Sequence, residues 1–417
     1  MEWWGAGMCL FLQTGAGFPL LMAGDGDLTD PAKAKLRLLS VPAYAFIGLI
    51  LGRNIQQLGI ALKRNFLFHL LVAMPFVSVL WSVSPSITLR RAIGLLFSLL
   101  LAYLLAIRFT PRQLLLLVMA TLGACIVPSL ALLAISPRLA LMPLDGAMRG
   151  IFLAKNSLGW YSSILTLVTV VVLLDGSFGL RRTAMVLLAA SLACLAGSMS
   201  MTSVVATASM VCLIWFYTTL PKARGIGRVV FVLVFVQAAI VLLILLHEFL
   251  VPVLEALGKD ATLTGRVPLW ELVDTKISSH LLLGFGYQAF WTEANPEAWA
   301  IWSTIQWMAP HAHNGFRDIL LSFGIGGMAL FVLVVVRAIR RGAVLQCRAP
   351  EEGWLWLNVF MIMVLVMNLT ESIFLVQNDA IFVLFAAGII MFSLYSPVYT
   401  GKLGYPPVTS SIRRHPG

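Results

Sequence analysis

Long apolar stretches recur along the whole chain, separated by short polar segments. A helix needs roughly 20 apolar residues to cross the hydrocarbon core of a bilayer, and these stretches have that length. They lack the strict alternation of barrel strands, and lipid offers the backbone no hydrogen-bond partner, so helices are favoured. The pattern therefore predicts twelve membrane-spanning helices. They are expected at residues 3–22, 38–53, 66–81, 90–107, 113–135, 157–174, 182–198, 202–220, 229–250, 317–336, 354–371 and 380–396.

Composition gives the same fold class, an all-α polytopic membrane protein. The chain is 60% hydrophobic and 11% charged, whereas soluble domains carry about 25% charged residues. The first span has only Glu2 before it and no small-residue cleavage site before "GDGDLTD", so we expect a retained helix. The five cysteines fall mostly within apolar spans, which favours packing residues over a disulfide framework.

The loops suggest an orientation and four regions. With both termini inside, more of the 29 lysines and arginines lie on the inner side, as the positive-inside rule requires. A loop as long as 251–316, placed outside by this orientation, is usually functional. We therefore expect about nine helices in 1–250, a large outer loop at 251–316, about three helices in 317–396, and a disordered inner tail at 397–417.

Several basic residues nevertheless lie on the outer side. Such residues are candidates for binding an anion such as phosphate or pyrophosphate. The alternative for each is snorkelling toward lipid headgroups. The outer set includes Arg90, Arg91, Arg149, Lys155, Arg266, Lys276 and Arg317.

The polar group in "HAHNGFRDILLSFGIGG" precedes an apolar helix. Asn314 is a good N-cap for a helix that begins at Gly315. His311 and His313 are then either solvent-facing spacers, or one of them is a rigidly held general base near neutral pH. A metal site is not expected, because acidic or cysteine partners at suitable spacing are missing. The glycines of "GIGG" indicate close helix packing.

The rest of the outer loop offers weaker signals. Pro268, followed by apolar residues at 269, 273 and 277, predicts a short helix at the membrane interface. The tryptophan-rich stretch fits either an interfacial aromatic belt or a sugar-stacking surface. Arg317 and Asp318 are expected to pair, and Glu371 could fix an arginine of the site. No Walker A motif or dinucleotide fingerprint is present, so nucleotide hydrolysis is not expected, and no cofactor or nucleic acid partner is expected.

An ordered set of motifs resembles the O-antigen ligase and Wzy-type polymerase superfamily, nearest the rhizobial-type exopolysaccharide polymerases. The motifs are "WSVSPSITLRRA", "RGIFLAKNSLG", "TGRVPLWELV…LLGFGYQAF", "HAHNGFRDILLSFGIGG" and "NLTESIF…ND", in that order from about 81 to 390. The resemblance implies a GT-C-like fold in the bacterial inner membrane, with its active face in the periplasm. It implies inverting, metal-independent transfer of a glycan from undecaprenyl pyrophosphate to a glycan hydroxyl, polymerising exopolysaccharide repeat units.

The resemblance also suggests residue roles. It implies that His313, beside the asparagine, is catalytic, and that Arg266 holds the pyrophosphate. Arg90 or Arg91 matches another basic family position, and "AKN" stands where the family often has His-Lys-Asn. The expected substrate-binding residues are Arg90, Arg91, Arg149, Lys155, His311, Asn314, Arg317 and Glu371.

Other functions stay open at this stage. One alternative is an O-antigen ligase with lipid A-core as the acceptor, which would use the same transfer chemistry. Another is a transporter or flippase for a lipid-linked sugar, although no half-to-half repeat and no acidic residue in the middle of a span supports it. The expected partners are the lipid-linked oligosaccharide, the acceptor glycan, the bilayer and other polysaccharide export proteins.

Overall fold

The computed structural model describes residues 1–23, 29–143, 145–256 and 266–399. These residues form α-helices joined by loops, with no extended pairing among them beyond a single antiparallel bridge between Leu141 and Met148. The helices are α1 (Glu2–Gln13), α2 (Phe18–Ala23), α3 (Asp30–Arg53), α4 (Ile55–Arg64), α5 (Phe66–Val77), α6 (Pro85–Arg108), α7 (Pro111–Ile135), α8 (Pro137–Ala140), α9 (Lys155–Leu174), α10 (Arg181–Ser198), α11 (Met201–Thr219), α12 (Gly225–Ala256), α13 (Arg266–Ser279), α14 (Pro296–Ile305), α15 (Gly315–Arg348), α16 (Trp354–Met367) and α17 (Ala380–Tyr399).

The expected all-α polytopic membrane fold is confirmed. Within the described ranges, six helices are long and apolar enough to cross a membrane, or seven if the bent pair of α4 and α5 is one span. Most predicted spans coincide with a helix, and their ends agree closely for α7, α9, α10 and α11. The count of twelve stays a prediction. The predicted tail at 397–417 and the loop residues 257–265 lie largely or wholly outside the described residues.

The first predicted span, 3–22, is wrong as a single helix. It is divided into α1 and α2 because Gly15 and Gly17 adopt left-handed backbone conformations, with φ of +67° and +75°. Such dihedrals suit glycine and interrupt a right-handed helix. Hydropathy does not register this break, because both glycines stand in an apolar sequence.

Helix ends follow local capping signals. Thr110 and Gln113 form a reciprocal capping box at the start of α7, with Pro111 at its first position. Asn314 caps α15, as predicted, since its side-chain oxygen accepts hydrogen bonds from the backbone N–H groups of Phe316 and Arg317. This cap sets the direction from which the preceding loop reaches the helix.

The outer loop has a hydrophobic core of its own. The helix predicted from Pro268 is present as α13, yet its buried residues Leu269, Val273 and Ile277 do not face a membrane interface. They pack with Phe290 and Trp302 in a cluster separate from the main core between the long helices. The loop is therefore a small folded unit seated on the bundle.

A break in α15 attaches this unit to the bundle. Gly324 has φ +61° and ψ −161°, which opens the helix and frees backbone groups. The loop residues Leu281 and Phe285 form hydrogen bonds with those groups. Phe285 N–H donates to Leu321 O at 2.6 Å, and Ile325 N–H donates to Leu281 O at 2.7 Å. A Cβ on Gly324 would lie 2.4 Å from the backbone of Leu282. The close approach expected of "GIGG" is thus between a helix and a loop.

Candidate active site

Glu371 is the centre of the polar cluster at the outer end of the bundle. This residue follows the end of α16 in the chain, and its side chain is 2% exposed. One carboxylate oxygen, Oε1, accepts hydrogen bonds from Arg266 Nη2 at 2.8 Å and from Asn156 Nδ2 at 3.0 Å. A buried carboxylate needs such partners, since an unpaired buried charge is strongly unfavourable. Residues from α9, α13 and the loop after α16 therefore meet at one oxygen.

The second carboxylate oxygen of Glu371 faces His313. The distance from Glu371 Oε2 to His313 Nδ1 is 3.9 Å, which is longer than a hydrogen bond. Within the described part of the chain, His313 Nδ1 is buried and has no hydrogen-bond partner. A small rotation of the imidazole would satisfy that nitrogen on Glu371 and leave Nε2 for another molecule. At hydrogen-bonding distance the pair would match the base and orienting group that activate a nucleophile.

His313 also has an unusual backbone. Its φ is +49°, in the left-handed region that few non-glycine residues occupy and that is common at functional sites. Its side chain is 19% exposed and its ring centroid lies 5.8 Å from that of Trp307. The histidine is thus held between the loop and the bundle, and the interpretation of both histidines as solvent-facing spacers is wrong.

His311 supports this conformation from the neighbouring position. Its Nδ1 accepts a hydrogen bond from the His313 backbone N–H at 3.2 Å, and the two ring centroids are 4.1 Å apart. Burial, with smaller contributions from His313 and Arg266, lowers the pKa of His311 to about 3. His311 is therefore neutral, with its proton on Nε2 and its Nδ1 committed to the turn.

The end of α16 holds the start of α15. Gly315 N–H donates to the carbonyl oxygens of both Asn368 and Glu371, at 2.9 and 2.8 Å. The buried Asn368 side chain in turn accepts from the N–H groups of Ile373 and Phe374. A Cβ on Gly315 would lie 2.1 Å from Asn368 Oδ1, so glycine is needed there. The histidine motif and the Glu371 segment are thereby joined through backbone groups.

Three tryptophans donate indole hydrogen bonds that help to position the histidine loop. Trp270 Nε1 donates to Ala312 O and Trp302 Nε1 to Ala309 O, both at 2.9 Å. Trp291 Nε1 donates to the Asp318 carboxylate at 3.2 Å. Trp299 and Trp307 keep exposed rings, at 48% and 37%, and Trp291 lines the cavity described below, so both interpretations of the tryptophan-rich stretch stay predictions.

Asp318 completes the same scaffold. Its carboxylate accepts hydrogen bonds from the Ala312 backbone N–H at 3.1 and 3.3 Å and from the Ser372 hydroxyl. The expected pairing of Asp318 with Arg317 is wrong. Arg317 instead makes a two-pronged contact with Asp274, at 2.7 Å for each bond, which joins α15 to α13.

A cavity of about 300 Å³ lies beside the cluster. His311 lines it, together with Arg91, whose guanidinium donates to the Gln288 carbonyl oxygen. Aromatic and amide side chains form much of the remaining wall, and two carboxylates, Asp318 and Asp379, also line it. The wall thus combines apolar faces with groups that donate and accept hydrogen bonds. These wall residues include Trp160, Tyr287, Trp291 and Gln377.

The remaining predicted residues do not join the cluster. Arg90 is exposed, so the two adjacent arginines are separated by the turn of α6, and Arg91 alone lines the cavity. Lys155 pairs with Asp145, while Arg149 is buried and donates to Leu139 O at 3.0 Å. Arg149 lies in the loop before α9, and Lys155 is the first residue of that helix.

Sequence reasoning missed three supporting residues. Asn156, Asn368 and Asp318 are polar side chains at the ends of apolar helices, where capping is the ordinary interpretation. Asn156 follows the basic residue of "AKN", and Asn368 opens "NLTESIF", so both stood inside motifs that were already noticed. Their long-range partners are visible only in three dimensions.

Comparison with known proteins supports the resemblance. Residues 183–332 match the family model described as O-antigen ligase. The chain is also 33% identical over 275 residues to the exopolysaccharide production protein ExoQ of Rhizobium meliloti (strain 1021). That match covers 63% of this chain and spans 61% of the relative's length. The resemblance to the O-antigen ligase and Wzy-type superfamily and to an exopolysaccharide production protein is confirmed.

The family match and the polar cluster overlap in part. The matched range includes Arg266, His311 and His313. Glu371, Asn156 and Arg91 lie outside it, on helices or loops that contact the matched part in three dimensions.

Proposed function

We propose that this protein is an inverting glycosyltransferase of the periplasmic face that polymerises exopolysaccharide repeat units. The donor is a glycan carried on undecaprenyl pyrophosphate, and the acceptor is a hydroxyl group of another glycan. The observation that carries the proposal is the cluster of Arg266, Glu371 and His313, with one carboxylate oxygen on the arginine and the other facing the histidine.

In the proposed reaction, the acceptor oxygen attacks the anomeric carbon of the donor while the bond to pyrophosphate breaks. The electron pair leaves with the pyrophosphate, and the hydroxyl proton moves to His313 Nε2. A single displacement of this kind inverts the anomeric configuration. A positioned general base contributes roughly 10²- to 10⁴-fold to such a step.

The arginines supply the charge that the leaving group requires. A guanidinium has five N–H donors, and Glu371 takes one from Arg266, which leaves others for phosphate oxygens. Arg91 contributes a second cation at the cavity wall. Fixed guanidinium groups stabilise developing negative charge, so the mechanism includes no metal ion.

The cavity is the proposed binding place of the transferred sugars. Its aromatic side chains provide faces for the apolar side of a sugar ring, and Gln288, Gln377 and His311 provide hydrogen-bonding groups for hydroxyls. His311, uncharged because of its low pKa, presents Nε2–H as a donor at ordinary pH.

The first test removes the base and the anchoring cation separately. We expect His313→Ala to lower polymer formation roughly 10²- to 10⁴-fold, the usual effect of a general base. Arg266→Ala should lower it by a similar factor, because it removes pyrophosphate binding and leaves Glu371 buried without its cation. Polymer would be measured in cells and with purified protein and lipid-linked donor, at matched membrane levels.

Matched controls exist in the same outer region. His280→Ala and Arg138→Ala each remove an exposed side chain of the same type outside the cluster and should retain activity. Full polymer formation by either His313→Ala or Arg266→Ala would contradict the proposed roles.

The glycan profile of a deletion strain separates the rival functions. Single repeat units on the lipid carrier are expected for a lost polymerase, whereas long chains left on undecaprenyl pyrophosphate would indicate a ligase acting on lipid A-core. Transport of the lipid-linked sugar by purified protein in liposomes, without glycan extension, would instead identify a flippase.

A further inference from the structure

A second cavity of about 320 Å³ lies among α4, α5, α15 and α17. Its polar wall carries Lys63 and Arg64 at the end of α4, and Arg337 and Arg341 from α15. Its apolar wall includes Phe66 and Ile389. The cavity thus combines a cationic side with a hydrophobic side. An amphiphilic ligand with an anionic head and an apolar chain would match both sides.

The cations of this cavity have no carboxylate counterpart in the described ranges of the chain. No acidic residue lines the cavity, and the described ion pairs do not include Lys63, Arg337 or Arg341. Arg64 donates to the Leu394 carbonyl oxygen at 2.8 Å, which fixes it at the end of α17. Arg337 and Arg341 are four residues apart on one helix face, where like charges repel each other. An anion between them would remove that repulsion.

The backbone around the cavity is shaped by a sharp bend. The helices α4 and α5 meet at 91° across Asn65, whose buried side chain donates to Ala61 O at 2.9 Å. The short helix α4 contains both polar and apolar residues, like helices that lie in the plane of a membrane surface. The helix α5 that follows is apolar. If α4 lies in that plane, the recess beside the bend is at the depth of lipid headgroups.

The recess lies at the opposite end of the bundle from Glu371. Both sites touch α15, since Gly315 adjoins Glu371 and Arg337 follows 22 residues later. The unbroken helix α17 spans the same separation: Asp379, just before it, lines the cavity beside the cluster, and Leu394, 15 residues later, accepts from Arg64, which is roughly 22 Å at 1.5 Å per residue. A ligand of the recess cannot reach the cluster around His313.

We propose that this recess binds the phosphate headgroup of an anionic phospholipid from the inner leaflet. The headgroup lies against Lys63, Arg337 and Arg341, and an acyl chain lies along the apolar wall beside Phe66 and Ile389. Basic recesses between membrane helices on the inner side suit phosphate headgroups for the same electrostatic reason. The inference concerns the opposite end of the bundle and does not depend on the proposed reaction.

The test measures lipid binding by the purified full-length protein. Short-chain phosphatidylglycerol is compared with phosphatidylcholine of the same acyl length by native mass spectrometry and titration. We expect Arg337→Gln/Arg341→Gln to weaken phosphatidylglycerol binding about tenfold or more, the loss of at least one charge-assisted hydrogen bond. Phosphatidylcholine, which has no net charge, should bind weakly to both proteins.

The charge-matched control is Arg181→Gln/Arg182→Gln, which removes two exposed arginines at the start of α10. It should leave the affinity for phosphatidylglycerol unchanged. A single-residue comparison uses Arg341→Gln, which should weaken binding, and Arg340→Gln, which should not. Arg340 lies on the same turn of α15 but does not line the recess. If the double variant fails to assemble, Lys63→Gln tests the same recess from α4.

Several results would overturn the proposal. They are equal affinity for the two lipids, equal losses in the recess variants and their controls, and displacement of the lipid by inorganic phosphate at comparable concentration. The last result would identify a site for small phosphates and remove the lipid from the assignment.

Discussion

His311 and His313 differ in chemical role although one alanine separates them. His311 is neutral and uses Nδ1 to hold the turn, whereas His313 turns its own Nδ1 toward Glu371. Two histidines in one motif could both have been bases. The backbone hydrogen bond occupies the basic nitrogen of His311, which is why His313 is the histidine proposed as the base.

The buried neutral state of His311 predicts a pH dependence of stability. Its pKa of about 3 lies below the ordinary value for histidine, so between these values the unfolded chain binds a proton that the folded chain does not. The contribution of His311 to the free energy of unfolding should therefore be fully present above about pH 6.5. It should decrease as the pH is lowered from there toward 3. We expect His311→Gln, which keeps a hydrogen-bond acceptor, to lose about 2 kcal/mol less than the wild type between pH 7 and pH 5. Thermal unfolding at both pH values measures this.

The control for that prediction is His280→Gln, which replaces an exposed histidine of the same outer region. It should follow the wild-type pH dependence. A parallel loss of stability in His311→Gln and the wild type would show that His311 is not the group that resists protonation.

The sequence pointed to the polar residues that meet in the cluster more readily than to the residues that hold them. His313, Arg266 and Glu371 were identified because their side chains carry the required chemistry and stand in recognisable motifs. Arg90 and Arg91 could not be told apart, since only the rotation of α6 decides which one reaches the cavity. Asn156 was not assigned a role, because its partner is 215 residues away in the chain.

At the scale of elements, the break in α15 determines how the outer loop is attached. The dihedral angles of Gly324 lie in a region that is essentially restricted to glycine, and its neighbour across the break is backbone rather than a flexible side chain. Hydropathy predicted an uninterrupted apolar helix here, because an apolar sequence carries no information on one residue's backbone angles. The sequence therefore predicted the position of α15 and missed its break.

Two glycines of the same motif provide a matched test. Gly324→Ala should destabilise the protein by about 3 kcal/mol or more, from backbone strain and a clash with Leu282. Gly326→Ala should be neutral or slightly stabilising, because its Cβ would meet only an ordinary contact at 3.9 Å within a helix. Thermal unfolding and limited proteolysis of residues 281–286 measure both variants. Similar behaviour of the two would show that the break does not hold the loop.

At the scale of the whole molecule, the two cavities lie at opposite ends of the helix bundle. Arg266 and His313 are at one end and Arg337 is at the other, and the charge distribution predicts that the first end is periplasmic. The chain provides exposed positions for a direct test at each end, at His280 and Arg340.

We expect His280→Cys to react with a membrane-impermeant maleimide in spheroplasts, in a variant whose five native cysteines are replaced. Arg340→Cys should react only after the membrane is permeabilised. The reverse pattern would place the Glu371 cluster in the cytoplasm and exclude a periplasmic donor site.

Much of the membrane architecture was predictable, because apolar length alone determines where a helix can span lipid. The outer unit was not, since its core is built from residues scattered between Leu269 and Leu321 that resemble a polar loop in sequence. The helix α4 was also not predicted, because its polar residues interrupt the apolar sequence on which the prediction of spans was based.

The attachment of the outer unit has an evolutionary consequence. It is joined to α15 by main-chain groups at Leu281, Phe285 and Ile325, and such bonds form with any side chain. Mutations on the exposed surface of the unit can therefore accumulate without disturbing how it is seated above the cavity. Under the proposed function, a lineage would change its choice of polysaccharide through this surface while the buried cluster stays the same.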